Sequence, residues 1–297
     1  MNEAKCVFCG GAVTLRPWGA ECTQCASVQA LIRPTAEELA KFYAGFLATY
    51  HGGGRTRGAH KRQLQWAHAY LRAVRRQAVG QTLVDVGPAN SPFPVLATDC
   101  GFAVSAIDFQ KPDDLPSTVE FIPGSLNDSN PPTSKRFDVV TAWAVLEHCL
   151  HPLDAASMLV NLCKPGGFIA MTTPRIEELC SKYAAGHSPW LYPPEHLQVP
   201  TSRAVTAVFG RLGCSLVAEQ RFEFSSFRWT LRYGASAAEV ALGMLIRATA
   251  RNTWLKLRDA RATKSVGISL HVFRRGEDQL GTGSKFGRLI GNGSAPP

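Results

Sequence analysis

Between Leu83 and Pro174 the apolar positions fall into short runs separated by polar, glycine- or proline-containing turns, and their spacing is that of strands alternating with helices. LVDVG ends at Asp85 and Gly87, AVSAID ends at Asp108, and EFIPGSL is a third short run. FDVVTAWAVLEH supplies a fourth strand; LCKPGGFIAMTTP supplies a helix end, a Pro-Gly-Gly turn and a fifth strand. Further on, CSLVAEQRFEF and VGISLHVFRR read as two more. The predicted strands are Thr82–Val86, Ala103–Asp108, Glu120–Ile122, Phe137–Trp143, Gly167–Thr172, Cys214–Phe224 and Val266–Arg274. Their alternation with helices predicts an α/β fold with a Rossmann-like, doubly wound, seven-stranded and mostly parallel sheet.

Upstream, Thr35 and Glu38 form a capping box ahead of ELAKFYAGFLATY, which predicts a helix broken by Gly52, Gly53 and Gly54. A second helix is predicted over about 59–79, with many arginines and no acid. A capped helix is also expected at Thr201 or Ser202, and Ser91 is placed to cap the helix after the first strand.

The chemistry follows from where the turns fall. A strand ending in a small-residue turn lets backbone approach a ligand, and the next helix N-terminus offers free N–H groups. An acid closing the second strand, Asp108, is placed to accept hydrogen bonds from both ribose hydroxyls. These features describe an adenosine-containing ligand at the carboxyl edge of the sheet. They do not separate NAD from S-adenosylmethionine.

The separation comes from resemblance. FDVV, VLEH, HPLD, L-C-KPGG and TTP, in that order, resemble the class I S-adenosylmethionine-dependent methyltransferases of the methyltransferase-23 and ubiquinone-biosynthesis-like group, over roughly residues 80–275. KPGG disfavours an NAD-dependent oxidoreductase. The resemblance implies cofactor contacts from Asp85, Gly87, Ala89, Asp108, Phe109, Ser125, Leu126 and Trp143, and a final strand antiparallel to the rest. The chain departs from the family pattern in places. The first loop reads Asp85-Val86-Gly87-Pro88-Ala89-Asn90-Ser91, keeping one glycine of three; the Ala89 methyl is tolerable with φ negative. Ser125 stands where the family carries an acid near the adenine amino group. Ubiquinone-pathway O-methyltransferases share LEH but hold a divalent ion with an earlier acid. That position is Ala144 here, which disfavours a catalytic metal.

Candidate bases are few. His148 follows the fourth strand, near where the methyl should point, with Glu147 beside it to orient it or bind substrate. WLYPPEHLQVPT presents Tyr192, Glu195 and His196; this resembles the acceptor loop of longer sugar C-methyltransferases that carry a zinc ribbon. Both histidines also have a packing reading. In ribbon-bearing methyltransferases, a segment resembling that of Tyr43, Tyr50 and His51 folds over the cofactor. The three glycines then read as a lid hinge or as a plain loop.

Cys6, Cys9, Cys22 and Cys25 form two C-x-x-C knuckles, the spacing of a tetrahedral structural Zn2+ site in a zinc ribbon. Nine cysteines, an odd number, and the lack of an apolar start argue against disulfides and for a reducing cytoplasm. Cys100, Cys149, Cys163, Cys180 and Cys214 read as small core residues. The expected organisation is a ribbon over 1–33, a helical lid or linker over 34–80, a methyltransferase domain over 81–280 with a helical insertion at about 228–264, and a disordered tail over 281–297.

Charge changes the picture only in the last third. Residues 1–200 balance 17 Lys and Arg against 17 Asp and Glu, whereas 201–297 hold 15 against 6, which accounts for the net +9. The basic insertion reads as a solvated face, or as a surface for an anionic acceptor, RNA or membrane. VALGMLI is too short to span a bilayer. The expected acceptor is a small molecule, sugar or lipid-linked intermediate. RNA methylation is less favoured, because no Asn-Pro-Pro-Tyr-like motif is present and aromatics do not interleave with the basic clusters. A non-catalytic methyltransferase-like binding module remains open.

Overall fold

The computed structural model describes residues 4–16, 19–50, 57–77, 80–112, 115–128, 130–174, 194–225 and 265–277. Two sheets organise them. The larger has seven strands: β4 (Thr82–Val86), β5 (Ala103–Asp108), β6 (Glu120–Pro123), β7 (Phe137–Trp143), β8 (Cys163–Pro174), β10 (Cys214–Ser225) and β11 (Ser265–Arg275). Their order is β10-β11-β8-β7-β4-β5-β6, with β11 antiparallel to both neighbours and β8, β7, β4, β5 and β6 parallel. Continuous apolar runs such as FDVV suit strands covered on both faces. Val84, Val139, Val140 and Ile169 are accordingly inaccessible to solvent.

Helices α1 (Ala36–Tyr50), α2 (Arg57–Gln77), α3 (Phe93–Asp99), α4 (Pro152–Leu162) and α5 (Ser202–Arg211) accompany this sheet. The capping box forms both its bonds: Thr35 Oγ1 accepts from Glu38 N at 3.2 Å and Glu38 Oε2 from Thr35 N at 2.8 Å. Thr201 caps α5 by accepting from Ala204 N. Ser91 Oγ accepts from Phe93 N at 3.2 Å. α2 buries Ala67, Tyr70, Leu71 and Val74 against the sheet, at i, i+3, i+4 and i+7 of one face.

Lys164-Pro-Gly-Gly is not a separate turn before the fifth strand. α4 passes directly into β8, and the pairing with β7 jumps from Phe137↔Cys163 to Val139↔Phe168. The segment is therefore a bulge inside the strand. Lys164 uses it to reach Asp138 at 2.9 Å.

Asp138 also accepts from Thr82 Oγ1 at 2.6 Å and from the amides of Thr82 and Gln81. Gly80, at φ +110°, is required beside it, because a Cβ there would lie 2.4 Å from the Asp138 carboxyl carbon. Partial burial opposes ionisation, but the bonds from Thr82 and Lys164 win and draw the carboxyl down to about 2. A carboxyl depressed in the folded state adds stability above its unfolded value, and that stability is lost as pH falls through the folded one. With solvent screening allowed for, Asp138→Asn should cost about 1–2 kcal/mol near neutral pH. It should lower the melting temperature by about 2–8 °C, with the gap to wild type closing towards about pH 2.

The smaller sheet joins the N-terminus to a distant segment. β1 (Val13–Arg16), β2 (Gly19–Cys22) and β3 (Val28–Gln29) form an antiparallel ribbon, and β9 (Gln198–Val199) adds as its fourth strand through Val28↔Val199 and Gln29↔Gln198. Thr201 Oγ1 donates to Cys25 O at 2.7 Å and Arg211 donates to Phe8 O at 2.7 Å. Phe8, Cys6, Cys22 and Cys25 belong to the same buried cluster as Val205, Val208 and Phe209 of α5.

Of the cysteines expected in the core, Cys149, Cys163 and Cys214 are buried, but Cys100 is exposed at the end of α3. An isolated strand–helix pattern does not say which face of a short helix end meets solvent. Cys180 lies outside the described residues, as do Gly52–Gly54, His51, the 228–264 insertion and the 281–297 tail.

Candidate functional site

The parallel strands β4, β5 and β7 end on one edge, and a cavity of about 650 Å³ opens there. That size suits a nucleoside-containing ligand. Its floor is the turn after β4. Gly87 takes φ +68°, with Val145 side-chain atoms 3.0 Å from where a Cβ would be. Ala89 takes φ +46°, contrary to the negative φ expected of it. The cause lies opposite: Ala89 N must turn to donate to Asp108 Oδ2, at 3.1 Å. An L-residue in this region costs about 1–2 kcal/mol, partly offset by glycine's greater unfolded-state freedom. Ala89→Gly should therefore stabilise the fold by about 0.5–1 kcal/mol, read as a rise of about 1–4 °C in melting temperature.

Asp108 is 7% exposed; its other oxygen accepts from Phe109 N at 2.8 Å. Burial pushes its carboxyl up, and the amides of Ala89, Phe109 and Gln110 pull it back. The result is a braced acceptor at the cavity wall. Gly87, Ala89, Phe109, Ser125 and Leu126 line the same cavity. Ser125 Oγ accepts from Asn127 N at 3.1 Å, so it also shapes its own turn.

Two expected contacts are not on the cavity wall. Asp85 is wholly buried behind it and accepts from Thr141 Oγ1 at 2.5 Å; its Oδ2 has no hydrogen-bond partner among the described residues. Burial pushes its carboxyl up to about 8. Trp143 stacks on Tyr70 at 4.3 Å and meets Phe93 edge-on at 4.9 Å. The strand alternation of β7 turns it into that aromatic cluster.

The far wall holds the candidate bases. His148 ends a 3-10 turn, Leu146–His148, and lines the cavity with Glu195 and Tyr43. Tyr43 Oη and the Glu195 carbonyl lie 2.9 Å and 2.8 Å from His148 Nδ1. Tyr43 Oη also reaches Glu195 O, at 3.4 Å. An N–H on Nδ1 satisfies the carbonyl and leaves the lone pair on Nε2. Burial pushes the His148 imidazole down to about 3, aided by His196, so the ring is neutral. Burial pushes the Glu195 carboxyl up. His196 packs edge-on against His148, with centroids 4.6 Å apart, and is not a cavity-lining residue. Glu147 is fully buried, its carboxyl pushed up to about 8 by burial. Tyr192 lies outside the described residues. Tyr43 brings α1 to the cavity wall.

Several lining residues had no motif to mark them: Gln63, Lys111, Asn127 and Cys149. Arg33, also unmarked, donates to Leu150 O at 2.6 Å. Gln198 Nε2 donates to Leu146 O and Cys149 O, and Leu197 N to Glu147 O. The turn that carries His148 is thus held by the ribbon's neighbours.

In the ribbon, Cys6 Sγ lies 3.5 Å from Cys25 Sγ and Cys9 Sγ 3.4 Å from Cys22 Sγ. All four sulfurs fall within 4.8 Å of one another. A tetrahedron with bonds of about 2.3 Å has edges near 3.8 Å, so the set could hold one Zn2+. The amides of Phe8, Gln24 and Cys25 already point at Cys6 and Cys22 sulfurs.

Residues 59–219, more than half of the chain, match the family described as a methyltransferase domain. The chain belongs to this methyltransferase family. Its seven-stranded sheet is the Rossmann-like sheet of class I methyltransferases. No curated protein matches it in sequence. Among solved structures it resembles a Burkholderia thailandensis 1,6-didemethyltoxoflavin-N1-methyltransferase bound to its acceptor and S-adenosylhomocysteine. That match has TM-score 0.52 and 14% identity over 86% of this chain and 97% of that one. The cyclase SpnF aligns with TM-score 0.51 and 17% identity over 83% and 98%. YcgJ of Bacillus subtilis aligns with TM-score 0.51 and 12% identity over 71% and 99%. At these identities the likeness is one of fold. Among the described residues, no helix of this methyltransferase is long and apolar enough to cross a membrane.

Proposed function

We propose that the protein transfers a methyl group from S-adenosylmethionine to a small-molecule, sugar or lipid-linked acceptor. The carrying observation is Asp108, a buried carboxylate braced by the Ala89 and Phe109 amides with lone pairs left for two ribose hydroxyls. Gly87 and Ala89 present backbone to the methionine portion, and Leu126 and Ser125 flank the adenine. When bound, the cofactor supplies an activated methyl. Asp85 supports this floor through Thr141 rather than by contact.

The protein's own work is to align the acceptor and take its proton. His148, neutral and held through Nδ1, orients the acceptor with Tyr43. Glu195 is the better base, because it lines the cavity and burial raises its carboxyl above the usual value. His196 steadies His148 and Tyr192 belongs to the same acceptor loop. Cys6, Cys9, Cys22 and Cys25 hold a structural Zn2+. The functional units of this reading are a ribbon over 1–33, a helical lid or linker over 34–80 and a methyltransferase domain over 81–280, in the cytoplasm.

Calorimetric titration with S-adenosylhomocysteine, followed by transfer of labelled methyl from S-adenosylmethionine to a panel of acceptors, tests this reading. Micromolar binding and label transfer are expected. A folded protein that binds no S-adenosylhomocysteine would overturn it in favour of a binding module. Binding without transfer to any acceptor would point to a reaction other than methylation, as the fold shared with a cyclase allows.

A further inference from the structure

Glu147 is a carboxyl group at 0% exposure, and among the described residues its oxygens have no hydrogen-bond partner outside its own backbone amide. Leaving such a group unpaired costs several kcal/mol, roughly, unless a cation or proton joins it. Around it the surroundings are electron-rich. One ligand atom each from Glu147, His148 and His196 lie within 4.8 Å of one another. The carbonyls of Glu195 and Ala144 face the His148 ring as well. A neutral imidazole has one N–H to offer two carbonyls.

We infer that Glu147, His148 and His196 form a second metal site, which takes a divalent transition-metal cation of the zinc class. Two imidazoles and a carboxylate are the donor set of open, three-ligand sites for such ions. The local support is already built. His148 Nδ1 faces the Glu195 carbonyl at 2.8 Å, the outer-shell bond that fixes the tautomer of a metal-binding histidine and leaves Nε2 as the ligand. Leu197 N holds the Glu147 carbonyl at 2.9 Å, which ties the chain just past His196 to the turn bearing the other two ligands. Ligands at bonds of about 2.0–2.1 Å stand about 3.3 Å apart in a tetrahedron, a spacing that side-chain rotation of the half-buried histidines reaches.

Ala144 removes the acid that a local motif would use, but the acceptor loop brings His196 in its place. Three protein ligands leave open positions beside the cavity wall at His148. An oxygen of the acceptor, a hydroxyl or carboxylate, would fill them; that last step alone rests on the methyl-transfer reading.

Cobalt(II) titration of the full chain tests the site without activity. Cobalt on cysteine thiolates gives a strong sulfur-to-metal charge-transfer band, and cobalt on imidazole and carboxylate does not. The expected result is one equivalent bound without that band. It should be lost in both Glu147→Gln and His196→Asn, each of which keeps the thiolate band of the ribbon, with melting temperatures reported alongside. His196 is half-buried, so its variant keeps the test valid even where Glu147→Gln unfolds. If every bound equivalent carries the thiolate band, or if the band-free equivalent survives His196→Asn, the site does not exist. S-adenosylhomocysteine titration of the same samples separates this outcome from a failure of the cofactor reading.

Discussion

Asp108→Ala should weaken S-adenosylhomocysteine binding by about 10²–10⁴-fold, the largest effect of any single substitution at the cavity. Two hydrogen bonds from ribose hydroxyls to a charged acceptor contribute about 1.5–3 kcal/mol each, and every 1.4 kcal/mol is tenfold. The side chain also braces its surroundings, since the amides of Ala89 and Phe109 lose their acceptor with it. Asp108→Asn separates the two roles. It keeps the shape and one oxygen acceptor, so it should retain the fold yet lose roughly tenfold or more in affinity. Calorimetry on both variants, with melting temperatures as control, checks the prediction. Equal affinities for wild type and Asp108→Ala would show that the ribose does not lie here.

The second large effect is expected far from the cavity. If the four cysteines hold the proposed Zn2+, Cys22→Ser, or treatment with a strong chelator, should unfold the ribbon locally, because a segment this small would take most of its folding free energy from the metal. β9 would then lose its partner strand. Gln198, Leu197 and Arg33 together hold the carbonyls of residues 146, 147, 149 and 150, and so place His148. A displacement of about 1 Å near reacting groups costs about a hundredfold in rate. Methyl transfer should therefore fall about a hundredfold, while Asp108, on the opposite wall, keeps S-adenosylhomocysteine affinity within about tenfold. Hydrogen exchange should show lost protection at Val28, Gln29 and Val199. Unchanged turnover by metal-free protein would disprove the coupling.

Both effects involve residues that differed in how plainly the sequence declared them. β4, β5 and β7 fall on their predicted bounds, because buried parallel strands are written as unbroken apolar runs and end in glycine, acid or aromatic residues. The place of Asp108 at the cavity and the clustering of the four cysteines were legible for a similar reason, because both are carried by spacing along the chain. What escaped depends on contacts between distant segments. β9 is two residues long, with no periodicity to detect, and exists only because β3 offers it an edge. Arg33 looks like an ordinary loop cation until residues 149 and 150 arrive beside it. Trp143 ends a strand that points at the cavity, yet its ring belongs to Tyr70 and Phe93. The positive φ of Ala89 follows from Asp108, nineteen positions away.

The pairing of Val28 with Val199 also bears on the order in which the molecule can be made. Closing a contact across about 170 residues is entropically slow, and chains emerge from the ribosome N-terminus first. β3 is therefore an unpaired sheet edge throughout synthesis of the first two thirds of the chain, open to strand addition by other polypeptides. Chaperone protection of the nascent chain would matter most in that interval.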